Sequence, residues 1–155
     1  MTGWNTFTTA LLAAVGLSTA LSCAKPPESF VRTKDRAPTV QEPGWTSIEV
    51  RNGLPFEEAW EEAVDLLARR FDLEMISKDG GYIRTTWAYD WIKPGEQSQN
   101  YRVRTVLKFS PDRRRIDLKT EAQYLNGRNW ASGTDSRLLR TLKTDLMGVV
   151  GRTTR

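Results

Sequence analysis

The sequence predicts an α+β domain: an antiparallel sheet of about four to five strands with two amphipathic helices packed on one face, in the order β-α-β-β-β-β-α. Three observations predict it. Apolar side chains at Phe56, Ala59, Trp60, Ala63, Val64 and Leu67 recur at three- and four-residue steps, which is the stripe of one helix. A second such stripe runs through Leu138, Leu139, Leu142, Leu146, Val149 and Val150. Between them, residues 99–110 and 114–125 alternate apolar and polar strictly, as strands do with one face buried and one wet. Two one-sided helices need cover, and a one-sided sheet supplies it.

Taken in order, "WTSIEV" (45–50) is a short strand, and "NGLP" leads into a helix over about 55–70. Pro55 suits the first helical turn, where its missing N–H would be orphaned anyway. Glu57, Glu58, Glu61 and Glu62 fill the first turns and Arg69 and Arg70 close the last, complementing the helix dipole. Glu58 and Glu62 stand one turn apart, but with no other ligand type near them they read as a solvated face. "LEMISK" (73–78) is the next strand and "DGG" (79–81) a turn. Three longer strands follow over about 81–91, 99–110 and 114–125, joined by the Pro-Gly signal in "IKPGEQS" and by the tight loop "PDRR". "NGRNWASG" (126–133) reads as a loop, and the last helix as about 135–151, with Ser132 and Asp135 at capping-box spacing.

Register follows from charge and apolar pattern together. A four-residue "PDRR" loop places Phe109 opposite Ile116, Leu107 opposite Leu118, Thr105 opposite Thr120, Val103 opposite Ala122 and Tyr101 opposite Tyr124. The same register sets Lys108 against Asp117 and Arg104 against Glu121 on the wet face. Extending it to the strand before puts Trp87 beside Val103, Tyr89 beside Tyr101 and Thr86 beside Arg104. The bulky odd positions of 83–91 then face the helices, and Trp87 joins Trp60 as core wall. The wet face is expected to be a mixed-charge surface without a cleft.

The N-terminal region has a different character. Residues 10–21 are a short apolar run ending at "TALSC". About 12 residues is too short to cross a bilayer, which needs ~20, but it has the length of a signal-peptide core. With Ser22, Leu21 and Ala20 before Cys23, the stretch resembles a bacterial lipoprotein lipobox. That resemblance implies residues 1–22 as signal peptide and a lipid on Cys23, although "MTGWNTFTT" lacks the usual positive start. Residues 23–44, with Pro26, Pro27, Pro38 and Pro43, read as a tether, leaving residues 45–155 as the single domain. No aspartate follows Cys23, which in lipoproteins of this kind favours the outer membrane.

Composition narrows the chemistry. The 155 residues contain no histidine and one cysteine, so the commonest general base and metal ligand are missing and no intramolecular disulfide forms. No Gly-x-Ser-x-Gly and no phosphate loop occurs, so no enzyme, metal or cofactor is expected. Net charge is +4; residues 112–155 carry ten Lys/Arg against five Asp/Glu, which places the excess C-terminally. The densest basic run is only Arg113-Arg114-Arg115, and an exported chain has no nucleic acid to meet.

"PFEEAWEEAVDLLARRFDLEMISKDGGYIRTTW" resembles the repeating domain of the C subunit of the outer-membrane β-barrel assembly machinery, matched at Trp60, Asp79, Gly81, Tyr82, Ile83 and Arg84. The resemblance implies a helix-grip fold and an accessory, non-enzymatic role in an envelope complex, reached through protein–protein contacts. The residues expected to touch a partner are Arg128, Trp130, Arg102 and Arg104. Alternatively, the Asn126–Trp130 loop offers a tryptophan, an arginine and two asparagines to a glycan or peptidoglycan.

Overall fold

The computed structural model describes residues 25–33 and 44–152. The apolar run, Cys23 and most of the expected tether lie outside the described residues. The two apolar stripes form helices α1 (Phe56–Ala68) and α2 (Ser136–Val149), and the alternating segments form one antiparallel sheet on which both helices pack. Its seven strands are β1 (Phe30–Arg32), β2 (Trp45–Glu49), β3 (Leu73–Ser77), β4 (Tyr82–Thr85), β5 (Tyr101–Phe109), β6 (Arg115–Asn126) and β7 (Asn129–Asp135). The order across the sheet is β1-β7-β6-β5-β4-β3. The far side of β6 is shared: β2 pairs with Arg115–Lys119 and β7 with Ala122–Asn126.

The expected architecture holds, and the expected β5–β6 register holds at every pair from Tyr101–Tyr124 to Phe109–Ile116. Leu107, Phe109, Ile116, Leu118 and Ile83 are buried beneath Trp60 and Leu67 of α1 and Leu138, Leu142 and Leu146 of α2. Phe109 meets Phe56 edge to face at 5.3 Å and Trp60 at 5.9 Å. Arg69 serves as the C-cap of α1 rather than lying in its last turn, and Arg70 reaches across to Asp145 of α2 at 2.8 Å.

Four expectations need correction. The segment 126–133 is not a loop: Gly127 (φ 64) and Arg128 alone make a two-residue turn, and β7 starts at Asn129. Glycine first in a two-residue hairpin turn is the arrangement that matches strand twist. The helix cap is Asp135 itself, whose side chain accepts from the Leu138 N–H at 2.7 Å. The domain also begins before residue 45, because β1, inside the expected tether, pairs antiparallel with β7.

The fourth correction concerns the aromatic strand. Tyr82, Ile83 and Arg84 keep the expected register against Lys108, Leu107 and Val106. Regular pairing then stops at Thr85. Its hydroxyl accepts the Thr105 N–H at 3.0 Å, while the Thr86 N–H turns away to the Asp72 carbonyl at 2.8 Å. Pairing resumes with Ala88, not Trp87, opposite Val103. One extra residue on one strand is a β-bulge, and it exchanges the faces of Trp87, Ala88 and Tyr89, while Trp91 farther on still packs against the core as expected. Trp87 and Tyr89 therefore leave the core and join the wet face.

Asp135 ties the entering chain to the domain. It is fully buried, and its Oδ2 accepts from Tyr101 OH at 2.6 Å and Ser29 Oγ at 2.7 Å. Burial, with the Asp135 carboxylate beside it, raises the Tyr101 phenol far above its ordinary range. Ser136 donates from its N–H to the Ser29 carbonyl at 2.9 Å. Phe30 packs edge to face on Tyr101 at 6.0 Å and crosses Gly133, where any Cβ would collide with its ring.

Candidate docking surface

Both helices cover one face of the sheet, and the other carries a row of alternating cations and aromatic rings. The pleat dictates membership: Arg102 and Arg104 on β5 and Lys119, Glu121 and Gln123 on β6 share the side opposite the core. The bulge adds Trp87 and Tyr89 from the neighbouring segment, and β7 adds Trp130.

Arg102 lies at the centre. Its guanidinium carbon stands 4.7 Å from the Trp87 ring centroid and 4.4 Å from that of Trp130. Nε and Nη2 donate to Gln123 Oε1 at 2.9 and 2.6 Å, and Nη1 donates to Tyr89 OH at 2.9 Å. A planar guanidinium over two rings with its edge hydrogen-bonded is an arrangement lysine could not reproduce. Arg104 lies 4.5 Å from Trp87 and donates through Nε to Glu121 Oε2 at 2.6 Å. Lys119 completes the row, 2.7 Å from Glu121 Oε1 and 5.0 Å from the Trp45 ring.

Glu121 thus sits between two cations. Half-burial alone would raise its carboxyl, but the hydrogen bonds from Lys119 and Arg104 outweigh that and hold it below the ordinary carboxylate range. The surface is therefore charged but internally matched and half-buried by its own neighbours. The face carries a depression of about 310 Å³ beside Trp87, Arg104, Lys119, Gln123 and Thr134.

Of the four expected contact residues, the structure brings Arg102, Arg104 and Trp130 together. Arg128 stands exposed in the hairpin turn, outside the row. Asn126 and Asn129 pair with each other across that turn, and Trp130 carries Arg102 against its ring. The segment is a closed hairpin end rather than an open stacking loop. Sequence reasoning missed Trp87, Tyr89, Gln123, Lys119 and Trp45. The first two depend on the bulge, which no glycine or proline marks. Gln123 and Lys119 needed only the β5–β6 register, and Trp45 is set beside Lys119 by the pairing of β2 with β6.

Among the described residues no three His, Cys, Asp or Glu side chains gather as metal ligands. A matched surface of rings and guanidinium groups offers stacking, cation–π contact and hydrogen bonds to another macromolecule. No protein-family model matches this chain, and a search of curated proteins finds no match.

Proposed function

We propose that this chain is an accessory protein of the bacterial cell envelope, anchored by lipid at Cys23 on the outer membrane facing the periplasm, and that its domain docks partner proteins through the open face of the sheet. Envelope assembly, including outer-membrane protein assembly, is the process the sequence resemblance favours. One observation carries the docking reading: the row Trp130–Arg102–Trp87–Arg104–Glu121–Lys119 is assembled on a face that neither helix covers. Arginine and tryptophan are the residue types most enriched where interfaces concentrate their energy. Their rotamers are already fixed here, which lowers the entropy lost on binding.

Two measurements test the reading. The full chain, captured from detergent-solubilised membranes, should retain a specific envelope protein that Trp87→Ala and Trp130→Ala each release while the domain stays folded. Equal capture by wild type and both variants would refute the open face as the docking surface. Separately, Cys23→Ser should abolish labelling by a fatty-acid analogue and shift the chain out of the membrane fraction. Undiminished label would refute the anchor.

A further inference from the structure

The densest basic run, Arg113-Arg114-Arg115, is divided by the β5–β6 hairpin. Arg115 turns on to the open face and pairs with Asp117 at 3.0 Å. Arg113 and Arg114 instead line a depression of about 610 Å³, together with Arg51 and Asn52 from the β2–α1 connection and Phe56 from the first turn of α1. Among the described residues none of Arg51, Arg113 and Arg114 forms an ion pair. The only carboxylate in the wall is Asp112, whose Oδ1 is occupied by Ser110 Oγ at 2.5 Å and the Arg114 N–H at 3.2 Å. Those hydrogen bonds, the Ser110 one first, also hold its pKa below the ordinary value.

Arg113 is placed there against backbone preference. Its φ of 61 makes it the one described non-glycine residue in the left-handed region, where glycine would sit without strain. The hairpin turn, closed by the Arg113 N–H on the Ser110 carbonyl at 2.9 Å, takes a left-handed residue at this point, and here that residue is an arginine. The side chain is also fixed: the guanidinium donates to the Asp79 carbonyl and lies 4.6 Å over the Phe56 ring. Gly81 leaves the room it occupies, since a Cβ there would collide with it.

We propose that this depression binds an acidic peptide segment of a partner protein, its Asp or Glu carboxylates received by the guanidinium groups of Arg51, Arg113 and Arg114. Guanidinium forks take carboxylates in paired hydrogen bonds. Three of them around a space much larger than one oxyanion, with the Phe56 ring and Leu54 in the wall, fit several carboxylates on a chain better than a lone phosphate. The site also lies at the far end of the sheet from the N-terminal segment. Lys25 and Pro27 flank Tyr101 at the start of β5, and the arginines follow Phe109 at its end, ~27 Å apart along nine residues. This is a second docking surface, and it stands whether or not the open face binds or Cys23 is lipidated.

The test is fluorescence anisotropy of labelled hexaglutamate titrated with the full chain in detergent, at a fixed ionic strength of about 0.15 M. Hexaglutamate should bind and labelled hexalysine should not. Arg51→Ala combined with Arg114→Ala should weaken binding at least about tenfold. Arg113→Gly, which suits that backbone, should keep the unfolding midpoint and still weaken binding several-fold. Unchanged affinity in these variants, or no binding by wild type at millimolar peptide, would overturn the site. Complete displacement by inorganic phosphate, where chloride of equal ionic strength does nothing, would overturn the peptide assignment in favour of an isolated oxyanion.

Discussion

Ala88 lies opposite Val103, one residue out of step with Ile83 and Leu107 on the same pair of segments. That single step moves Trp87 from the helix-covered core to the open face, and its energetic weight changes accordingly. Trp60→Ala removes a buried ring from the core and should lower stability by about 3–5 kcal/mol. Trp87→Ala removes a half-buried ring and its contacts to Arg102 and Arg104, so about 1–2 kcal/mol is expected. Denaturant unfolding of both variants distinguishes the two positions; equal losses would return Trp87 to the core.

Arg102 gives the complementary measurement. Arg102→Lys keeps the charge but cannot lie flat over Trp87 and Trp130 while donating twice to Gln123. It should cost about 1 kcal/mol or more, nearly as much as Arg102→Ala. Full stability in Arg102→Lys would show that charge alone matters there.

Asp135 caps α2 and holds Ser29 and Tyr101 at once. Asp135→Ala should therefore lose about 2–4 kcal/mol, from the cap and from two hydrogen bonds to a charged group. Its signature would be local as well as global: limited proteolysis should cut residues 25–33 much faster than in wild type. Ser29→Ala should speed that cleavage with a smaller loss of stability. Equal protection of the segment in all three proteins would contradict the contact.

Tyr101 supplies a pH dependence. Its folded pKa is raised, so its contribution is fully present below the unfolded tyrosine value of about 10 and falls as pH rises above it. The unfolding midpoint should decline above about pH 10, and Tyr101→Phe should flatten that decline while lowering stability at neutral pH. Glu121 acts at the other end: its pKa is lowered, so its contribution is present above the unfolded carboxylate range and lost as pH falls through it. Because it is half exposed, that loss should be small and weakened further by salt.

Gly81 tests the hairpin-end geometry. It has φ 61 and sits against Phe109 and the Arg113 guanidinium. Gly81→Ala should lower stability by about 1–2 kcal/mol from backbone strain alone, with more from the collision. Combining it with Arg113→Gly should recover part of that loss, which a double-mutant cycle in urea would measure.

Much of this fold was legible because its signals are periodic and mutually reinforcing. The stripes of α1 and α2 and the paired alternation of β5 and β6 admit few arrangements, and Lys108–Asp117 with Arg104–Glu121 confirms the one observed. What escaped was aperiodic. The bulge after Thr85 depends on a threonine hydroxyl replacing a main-chain acceptor, and a run such as "RTTWAYDW" carries aromatics at positions that a one-residue slip moves to the other face. "NWASGTD" has too few apolar residues to announce β7, although the Gly-first turn before it was a usable sign. Phe30–Arg32 is three residues amid prolines, and its docking rests on Gly133 and Asp135, more than a hundred positions away. Arg102 and Arg104 met on the open face because the β5–β6 register was legible; Trp130 joined them through β7, a strand that reads as a loop in the sequence, and Arg128 stands exposed in the turn before it.

The docking of Ser29 and Phe30 bears on how the domain would carry mechanical load. If the chain is held at Cys23, tension arrives after six residues, about 20 Å of extended chain, and enters at Ser29. There the Ser29–Asp135 and Ser29–Ser136 hydrogen bonds pass it to β7 and the start of α2. The first pairing to yield would be the three residues of β1 against Gly133–Asp135 of β7 at the sheet edge, well before the nine-residue pairing of β5 with β6. The short edge strand then behaves as a fuse, yielding first while β5 and β6 stay paired.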